Sequence, residues 1–551
     1  MVDSIDALVR KYVIINAVEH EGMAQSKSVL GKILGEHPEL RTQIFELRTK
    51  IENSAREVNK LGLARQKKEL DDIGGYVQQQ RVEKKGLPEL ERGRERFVVR
   101  FAPNPDGAIH IGNARPAVLS DEYAKRYHGK FILRFDDTDP KVKIPQKKFY
   151  KWIRDDIKWL KIRVSQEIIA SKRLKIYYKT AEKLIAVNGA YVCTCTPEGW
   201  KKLRDHEKSC PCRNLDVKSN LKRWKMMVGH KYREGQAVLR VKTEMDAKNP
   251  AVRDWPAFRI VDKPSHPLQK AKLWPLYNFA SAVDDHLTGV THIFRGQEHS
   301  TNEVKQRYMY RHMRWNYPVV VTLGRFSLAN MVLSKSQIRE GIENGVFREW
   351  DDVRLGTIKS LRRRGFQPDA IRQIIIDIGP KPSDITISFE NLSAYNRKII
   401  DKNANRYFFV SNPKKIDVRG LKIKSVRIPM HPDDKKRGYR SFSLTSTFFI
   451  DNRDFSSFNG LEVRLKELCN IKLSEKSEFT GVELKPTPKI QWVPAKHCIV
   501  RVISAGKEIK GYGEISLLKA KVGDIVQFER FGFVRIEKIQ GKNIVAVFGH
   551  E

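Results

Sequence analysis

Apolar positions near the N-terminus recur at helical spacing. Ile5, Leu8, Val9 and Tyr12 share one face, and Leu40, Ile44, Leu47, Ile51 and Val58 alternate by four and three before a gap. The pattern predicts a short helical bundle or hairpin over residues 1–92. Gly74-Gly75 and a charged run from about Arg81 to Arg96 read as the linker that ends it. From Phe97 the period changes. Phe97, Val98, Val99 and Phe101 make an apolar strand that enters the loop Pro103-Asn104-Pro105-Asp106-Gly107, and a helix opens at His110-Ile111-Gly112-Asn113. The next strand ends in Arg134-Phe135-Asp136-Asp137-Thr138-Asp139, so strand, helix and strand form a βαβ unit. The alternation continues over residues 93–325, which predicts a doubly wound α/β domain with an insertion at about 190–270. Residues 326–395 return to helix, with Leu361 to Gly365 and the apolar Ile371, Ile374, Ile375 and Ile376. Beyond 396 short strands take over, such as Phe448-Phe449-Ile450, Ile499 to Ile503 and Ile544 to Phe548, with turns like Gln540-Gly541-Lys542-Asn543. They predict one or two β-barrels over 396–551.

Charge adds a partner to this outline. The 551 residues carry 104 Lys+Arg against 65 Asp+Glu, a formal net charge of +39. A surplus of that size points to a polyanion, and nucleic acid is the favoured one. A thermophile-type surface is the alternative, but it would add Glu alongside Lys. No apolar run approaches transmembrane length, and Asp3, Asp6, Arg10 and Lys11 interrupt any secretory core. Six cysteines in so long a chain do not make a disulfide scaffold. The expected compartment is the cytoplasm, with no membrane partner.

The loop–helix junction at residues 103–113 carries the first candidate chemistry. Helix N-termini present unpaired N–H groups and a positive dipole end, and so seat phosphate. His110 can donate to phosphate oxygens, and Gly112 leaves room for a flat base near the backbone. The string is neither the Gly-rich dinucleotide fingerprint nor a Walker loop. A second element, Val332-Leu333-Ser334-Lys335-Ser336, follows Val319-Val320-Val321. Cys193-Thr194-Cys195 and Cys210-Pro211-Cys212 bracket a short stretch of the insertion. Four thiolates converging from two turns suit a structural Zn²⁺, and four reduced thiols without metal are the alternative. Cys469 and Cys498 read as ordinary barrel residues.

Arg100 to Asn113 resembles the "HIGH" signature of the class I aminoacyl-tRNA synthetases. Arg100-Phe101-Ala102-Pro103 before it and Asp136-Asp137-Thr138-Asp139-Pro140 after it narrow the resemblance to the glutamyl/glutaminyl branch. Val332 to Ser336 resembles the "KMSKS" loop, with Val332 in place of the first Lys, which leaves Lys335 as the loop cation. The resemblance implies ATP binding by Pro103, Asn104, Gly107, His110, Gly112, Asn113, Ser334, Lys335 and Ser336. It gives His110, Asn113 and Lys335 the catalytic roles and has Mg²⁺ share the charge of the leaving pyrophosphate. The fold it implies is a Rossmann-like catalytic domain with an acceptor-binding insertion, a helical N-terminal extension, a helical connector and C-terminal β-barrel anticodon-binding domains. Barrels at this end resemble the archaeal/eukaryotic and glutaminyl type; bacterial glutamyl relatives end in helices but also place a Cys-rich zinc site in the insertion.

Trp274 to Gly296 is similar to the amino-acid pocket of that branch. The resemblance implies that Asp136 takes the substrate α-amino group, Tyr277 lines the pocket, and Arg100 and Arg295 hold the carboxylate-bearing end. A guanidinium binds carboxylate with two hydrogen bonds, and glutaminyl members carry a small residue where Arg295 stands. Glutamate is therefore expected over glutamine; a structural ion pair of Arg295 with Asp284 or Asp285 is the alternative. Gly296-Gln297-Glu298-His299 corresponds to a turn that faces ribose and adenine. Trp350 to Leu355 and Leu361 to Gly365 resemble the "WDDPRL…LRRRG" block, with Val353 in place of Pro. Arg354, Arg362, Arg363 and Arg364 are the expected tRNA contacts, and Lys435 to Arg440 is a candidate anticodon loop. Partners implied are ATP, L-glutamate and glutamate tRNA, with glutamine tRNA left open. Three rivals stand beside this reading: a glutaminyl enzyme, an inactive tRNA-binding paralogue and a tRNA-independent nucleotidyltransferase.

Overall fold

The computed structural model describes residues 5–73, 86–93 and 95–551. It divides into two compact units, Met1–Lys84 and Lys85–Glu551. Gly74-Gly75 and Arg81 to Lys85 of the expected linker lie outside the described residues.

The first unit is helical. Ile5–Glu19, Ser26–Glu36, Ile44–Val58 and Leu63–Asp72 are α-helices, and Pro38–Gln43 is a 3₁₀ turn. Val9, Val13, Ile14, Val29, Ile33 and Leu47 are among its buried core. The expected heptad line needs correction. Leu40 sits in the 3₁₀ turn and Ile44 is 37% exposed; the buried line is Leu47, Ile51, Ala55 and Val58. The turn restarts the helical phase at Ile44, so Leu40 still packs on this core while Ile44 faces outward.

The second unit begins earlier than expected. Leu87 and Leu90 pack on the α/β core, the Tyr123 hydroxyl donates to Pro88 O at 2.9 Å, and His292 Nε2 donates to Glu91 O at 2.8 Å. The second half of the expected linker is thus a strap on this domain. Its central sheet has five parallel strands: β1 (Val98–Phe101), β2 (Lys130–Phe135), β3 (Gln166–Ile169), β4 (His292–Gly296) and β5 (Val319–Leu323). The order is β3-β2-β1-β4-β5. The order reverses between β1 and β4, and crevices at such a switch point open at the carboxyl ends of the strands. Arg100, Asp136 and Arg295 all stand at those ends.

The insertion is a four-stranded antiparallel sheet of Ala190–Cys193, Val238–Val241, Pro256–Ile260 and Leu273–Pro275, so it runs past the expected boundary of about 270. The connector is helical at Lys335–Glu343, Ile358–Arg363, Pro368–Ile378 and Phe389–Ile400, but it also holds a strand pair, Phe326–Leu328 with Ile385–Ile387.

Two seven-stranded sheets follow, and each closes by the same device. Asn405–Tyr407 pairs with Ile525–Phe528 on one edge, and Phe409–Val410 pairs with Lys507–Glu514 on the other. One broken strand, interrupted at Phe408, therefore joins both edges of the distal sheet. Phe408 N–H donates to Glu514 Oε2 at 2.7 Å at the break. In the proximal sheet Lys489–Ile490 and Trp492–Pro494, broken at Gln491, do the same. Closure removes free edges. The turn at Gly541 has φ +55°, a value that suits glycine. Among the described residues no helix is long and apolar enough to cross a membrane.

One buried acid makes stability depend on pH. Asp156, on the helix Lys147–Trp159, is 1% exposed, and its Oδ2 has no partner among the described residues. Burial, opposed by Lys359 and Arg362, pushes its pKa up to about 7. The folded state then holds the proton more tightly than the unfolded chain, so ionisation between pH 4 and 8 destabilises the fold, by up to roughly 4 kcal/mol. Denaturant unfolding at pH 5 and pH 8 should show the loss in the wild type and a flatter profile in Asp156→Asn. Equal pH dependence in the two proteins would contradict the assignment.

Candidate active site

His110 caps the helix Ile111–Arg126 in extended geometry, and its Nδ1 accepts from Asn113 N–H at 3.3 Å. An accepting Nδ1 puts the ring proton on Nε2. Burial, and after it the charge of Lys335, push the imidazole pKa down to about 4. At neutral pH His110 is therefore a neutral donor through Nε2. The helix start is not wholly open: Ile111 N–H donates to Gly356 O at 3.0 Å, which docks the connector there. Gly112 is packed rather than open, since a Cβ on it would stand 2.7 Å from Phe326 O. Asn104 and Asn113 each keep a buried Oδ1 without a partner among the described residues. Orphaned acceptors of this kind call for a donor, and ribose hydroxyls or an adenine amino group are suitable ones.

Lys335 begins the helix Lys335–Glu343 and reaches back over this loop. Its Nζ donates to Asn104 O and to Asp106 Oδ1, each at 2.9 Å. Arg339 adds a bond to Asp106 O at 2.8 Å. Burial lowers the ammonium pKa, and Asp106 opposes that. The methylenes of Lys335 close on Gly107, where a Cβ would meet Lys335 Cδ at 3.0 Å and the Trp350 ring at 2.6 Å. Ser334 and Ser336 are exposed, with their hydroxyls 2.9 Å apart. Pro103 lies where the loop leaves the sheet, its carbonyl accepting from Asp136 N–H at 3.1 Å.

The other half of the crevice is ionic. Arg134 on β2 joins three groups: Asp136 Oδ1 at 2.7 Å, Asp285 Oδ1 at 2.8 Å and Ser281 Oγ at 2.8 Å. Asp285 also accepts from Arg100 Nε at 3.2 Å. Burial raises the Asp285 pKa, but Arg100, Arg134 and Arg295 outweigh it and hold the carboxyl below its ordinary value. Burial prevails at Asp136, which lies above it despite Arg134. Tyr277 opens the helix Tyr277–Leu287 and lies 6.0 Å from the His299 ring, at the turn Gln297–His299. Arg295 is 5% exposed, and its Nη2 donates to Gln306 Oε1 at 3.1 Å, while Nε and Nη1 have no partner among the described residues. The acids suggested as alternatives for it are engaged elsewhere: Asp285 as above, and Asp284 with Arg173 at 2.8 Å and the Tyr177 hydroxyl at 2.6 Å. Arg134 was not singled out from the sequence. A charged residue inside a strand whose neighbours are all apolar was the available signal.

The expected tRNA arginines divide. Arg362 is exposed, with its guanidinium 5.9 Å from the Trp159 ring centre. Arg354 is clasped by Asp352 at 2.9 and 2.8 Å. Arg363 and Arg364 differ from the expectation in direction, because both turn inward to the distal barrel. Arg363 pairs with Glu537 at 2.6 and 3.0 Å. Arg364 donates to Gly549 O at 2.7 Å and Val353 O at 3.2 Å, and burial pushes its pKa down to about 10. In the candidate anticodon loop, Lys435, Lys436 and Tyr439 are exposed, whereas Arg440 is buried between Glu514 and Glu529, each at 2.7 Å.

In the insertion, the Sγ atoms of Cys193, Cys195, Cys210 and Cys212 lie within 4.8 Å of one another. Cys193–Cys210 and Cys195–Cys212 are 3.8 and 4.0 Å apart. Tetrahedral zinc with Zn–S near 2.3 Å separates its sulfurs by about 3.8 Å, so the thiols fit the ion.

A β3-β2-β1-β4-β5 sheet whose switch-point crevice is capped by His110 and covered by Lys335 is the catalytic architecture of a class I aminoacyl-tRNA synthetase. The family described as "tRNA synthetases class I (E and Q), catalytic domain" matches residues 96–402, and the anti-codon binding domains of the same family match residues 404–486 and 489–537. The chain belongs to this glutamyl/glutaminyl family of class I tRNA synthetases. It is 50% identical to the glutamate–tRNA ligase of Pyrococcus furiosus, over 99% of this chain and 100% of that protein. Identity is 49% with the ligase of Thermococcus kodakarensis, over 100% of both chains. With that of Sulfurisphaera tokodaii it is 43%, again over 100% of both.

Proposed function

We propose that the protein is a glutamate–tRNA ligase. It uses ATP to convert glutamate to glutamyl-adenylate and passes the glutamyl group to the 3′ end of glutamate tRNA. The observation that carries the choice of amino acid is Arg295, a buried guanidinium with two nitrogens unpaired and no ion pair among the described residues. A glutamine side chain would leave that charge uncompensated, which is costly in a buried site. Full-length relatives that are glutamate–tRNA ligases support the same choice.

The substrate carboxylate attacks the α-phosphate of ATP in line, and pyrophosphate leaves. Catalysis of this kind is positioning plus preorganised positive charge. His110 Nε2–H and Lys335 Nζ supply donors to the phosphates, Asn104 and Asn113 accept from the nucleoside, and Asp136 receives the α-amino group. Mg²⁺ accompanying ATP would share the charge of the leaving pyrophosphate. The insertion holds the tRNA acceptor end, the barrels read the anticodon, and Arg362 faces phosphate. The work belongs with free tRNA in the cytoplasm.

The deciding experiment is aminoacylation of separate glutamate and glutamine tRNAs, each with glutamate and with glutamine. Charging by glutamate is expected; charging by glutamine alone reverses the reading, and no charging favours a tRNA-binding paralogue.

Cys193, Cys195, Cys210 and Cys212 would hold a structural Zn²⁺ and leave no position for a reacting water. Arg223 Nη1 at 3.3 Å and Thr194 N–H at 3.5 Å from Cys212 Sγ favour its thiolate. Elemental analysis should find one zinc per chain, and Cys195→Ser should lower both metal content and melting temperature. Metal-free protein with unchanged melting would refute the site.

A further inference from the structure

Among the described residues, three buried donors in the amino-acid pocket have no partner: Arg295 Nε, Arg295 Nη1 and Gln306 Nε2. The residues that carry them are 5% and 1% exposed. One oxygen fixes their arrangement. Gln306 Oε1 accepts from Arg295 Nη2 at 3.1 Å and from the Tyr317 hydroxyl at 2.9 Å. Turning the amide over would set an NH₂ group against the guanidinium, donor to donor, so the side chain has one sensible orientation.

We propose that Gln306, buttressed by Tyr317, is the residue that positions Arg295 for substrate selection. The inference rests on the glutamate reading of the pocket and deepens it. Two requirements meet at position 306. The partner of Arg295 must accept a hydrogen bond, to fix the plane of the guanidinium. It must also be neutral, to leave the guanidinium charge for the substrate. A carboxylate there would fix the plane but would be the counter-ion that glutamate is meant to supply. An aliphatic side chain would preserve the charge and let the fork swing. A neutral amide oxygen, itself held by a tyrosine hydroxyl, satisfies both. Among the described residues neither nearby acid bonds to Arg295, because Asp285 is bound to Arg100 and Arg134 and Asp284 to Arg173 and Tyr177; Asp285 acts on Arg295 through its charge alone.

The test uses the full chain and amino-acid-dependent pyrophosphate exchange. Hydrogen bonds to charged groups are worth enough to shift binding by about 10–100-fold. Gln306→Glu should raise the KM for glutamate by about 100-fold with kcat changed far less, and should lower the preference for glutamate over glutamine. Gln306→Met should raise the same KM by about 10-fold, and Tyr317→Phe should move it in the same direction by less. The KM for ATP should stay unchanged in all three, which a general loss of packing would not allow. A folded Gln306→Glu enzyme with the wild-type KM for glutamate overturns the proposal. Should that variant not fold, an unaltered KM in both Gln306→Met and Tyr317→Phe overturns it instead. A wild type that activates glutamine and not glutamate overturns the underlying reading, and this proposal with it.

Discussion

Arg295→Ala should lower kcat/KM for glutamate activation by about 100- to 4,000-fold, almost entirely through KM. The magnitude follows from stranding a buried carboxylate: removing one partner of a buried charge pair costs about 3–5 kcal/mol, and each 1.4 kcal/mol is tenfold. Here the stranded partner is the substrate, so the loss falls on binding and not on folding. The free protein should even tolerate the change well, because among the described residues the buried guanidinium has only Gln306 as a hydrogen-bond partner. Loss of activity with unchanged or raised thermal stability is thus the signature to look for. Glutamine activation should fall less than glutamate activation, since the amide never used the charge. Equal losses for the two amino acids would mean that Arg295 shapes the pocket without reading the side chain. Asp285 provides the control. It neutralises Arg100 and Arg134 in the empty site, so Asp285→Asn should disturb folding and both amino acids alike.

What the sequence revealed and what it hid have separate physical causes. His110 stood out because a strand, a loop and a helix start leave local marks, whereas the roles expected of Asp136 and Lys335 came through resemblance. Arg100 and Arg295 were legible only through resemblance, since a strand's last residues look alike whatever their side chains face. Arg134 was missed although it links Asp136 to Asp285. Its place in an apolar strand was readable, but its partners come from a helix about 150 positions away. The direction of Arg363 and Arg364 could not be read either. Three adjacent arginines on a helix fan out over different faces, and only the docked barrel decides that two of them point inward. Closure of the barrels was hidden for a related reason. Phe408 and Gln491 interrupt strands without any glycine or proline to announce a break, and the interruption exists because the two edges of a closed sheet meet there. At Ile44 the error ran the other way: a heptad spacing persisted in the sequence across a 3₁₀ turn that resets the helix.

Lys335→Ala should lower the rate of adenylate formation by about 10²–10³-fold while changing ATP affinity much less, the loss typical of one preorganised donor removed from a developing charge. Asp106 makes the outcome more informative than a single substitution. In the empty site Lys335 is not waiting as a free cation; it is bound to Asp106 Oδ1 and Asn104 O, with Arg339 on the same loop. The triphosphate must therefore take Lys335 from a carboxylate, and part of the attraction between them is spent on that exchange. Asp106→Asn keeps a hydrogen-bond acceptor but removes the competing charge, so it should tighten ATP binding several-fold, at about 1.4 kcal/mol per tenfold, and leave the rate of the chemical step nearly unchanged. The two residues act through one bond, and their effects should not add. In a Lys335→Ala background, Asp106→Asn should no longer tighten ATP. If Asp106→Asn tightens ATP equally with and without Lys335, the aspartate repels the triphosphate directly and the exchange of partners plays no part. If it weakens ATP, Asp106 holds the loop in its binding shape, and the ion pair to Lys335 is part of the competent site rather than a competitor to it.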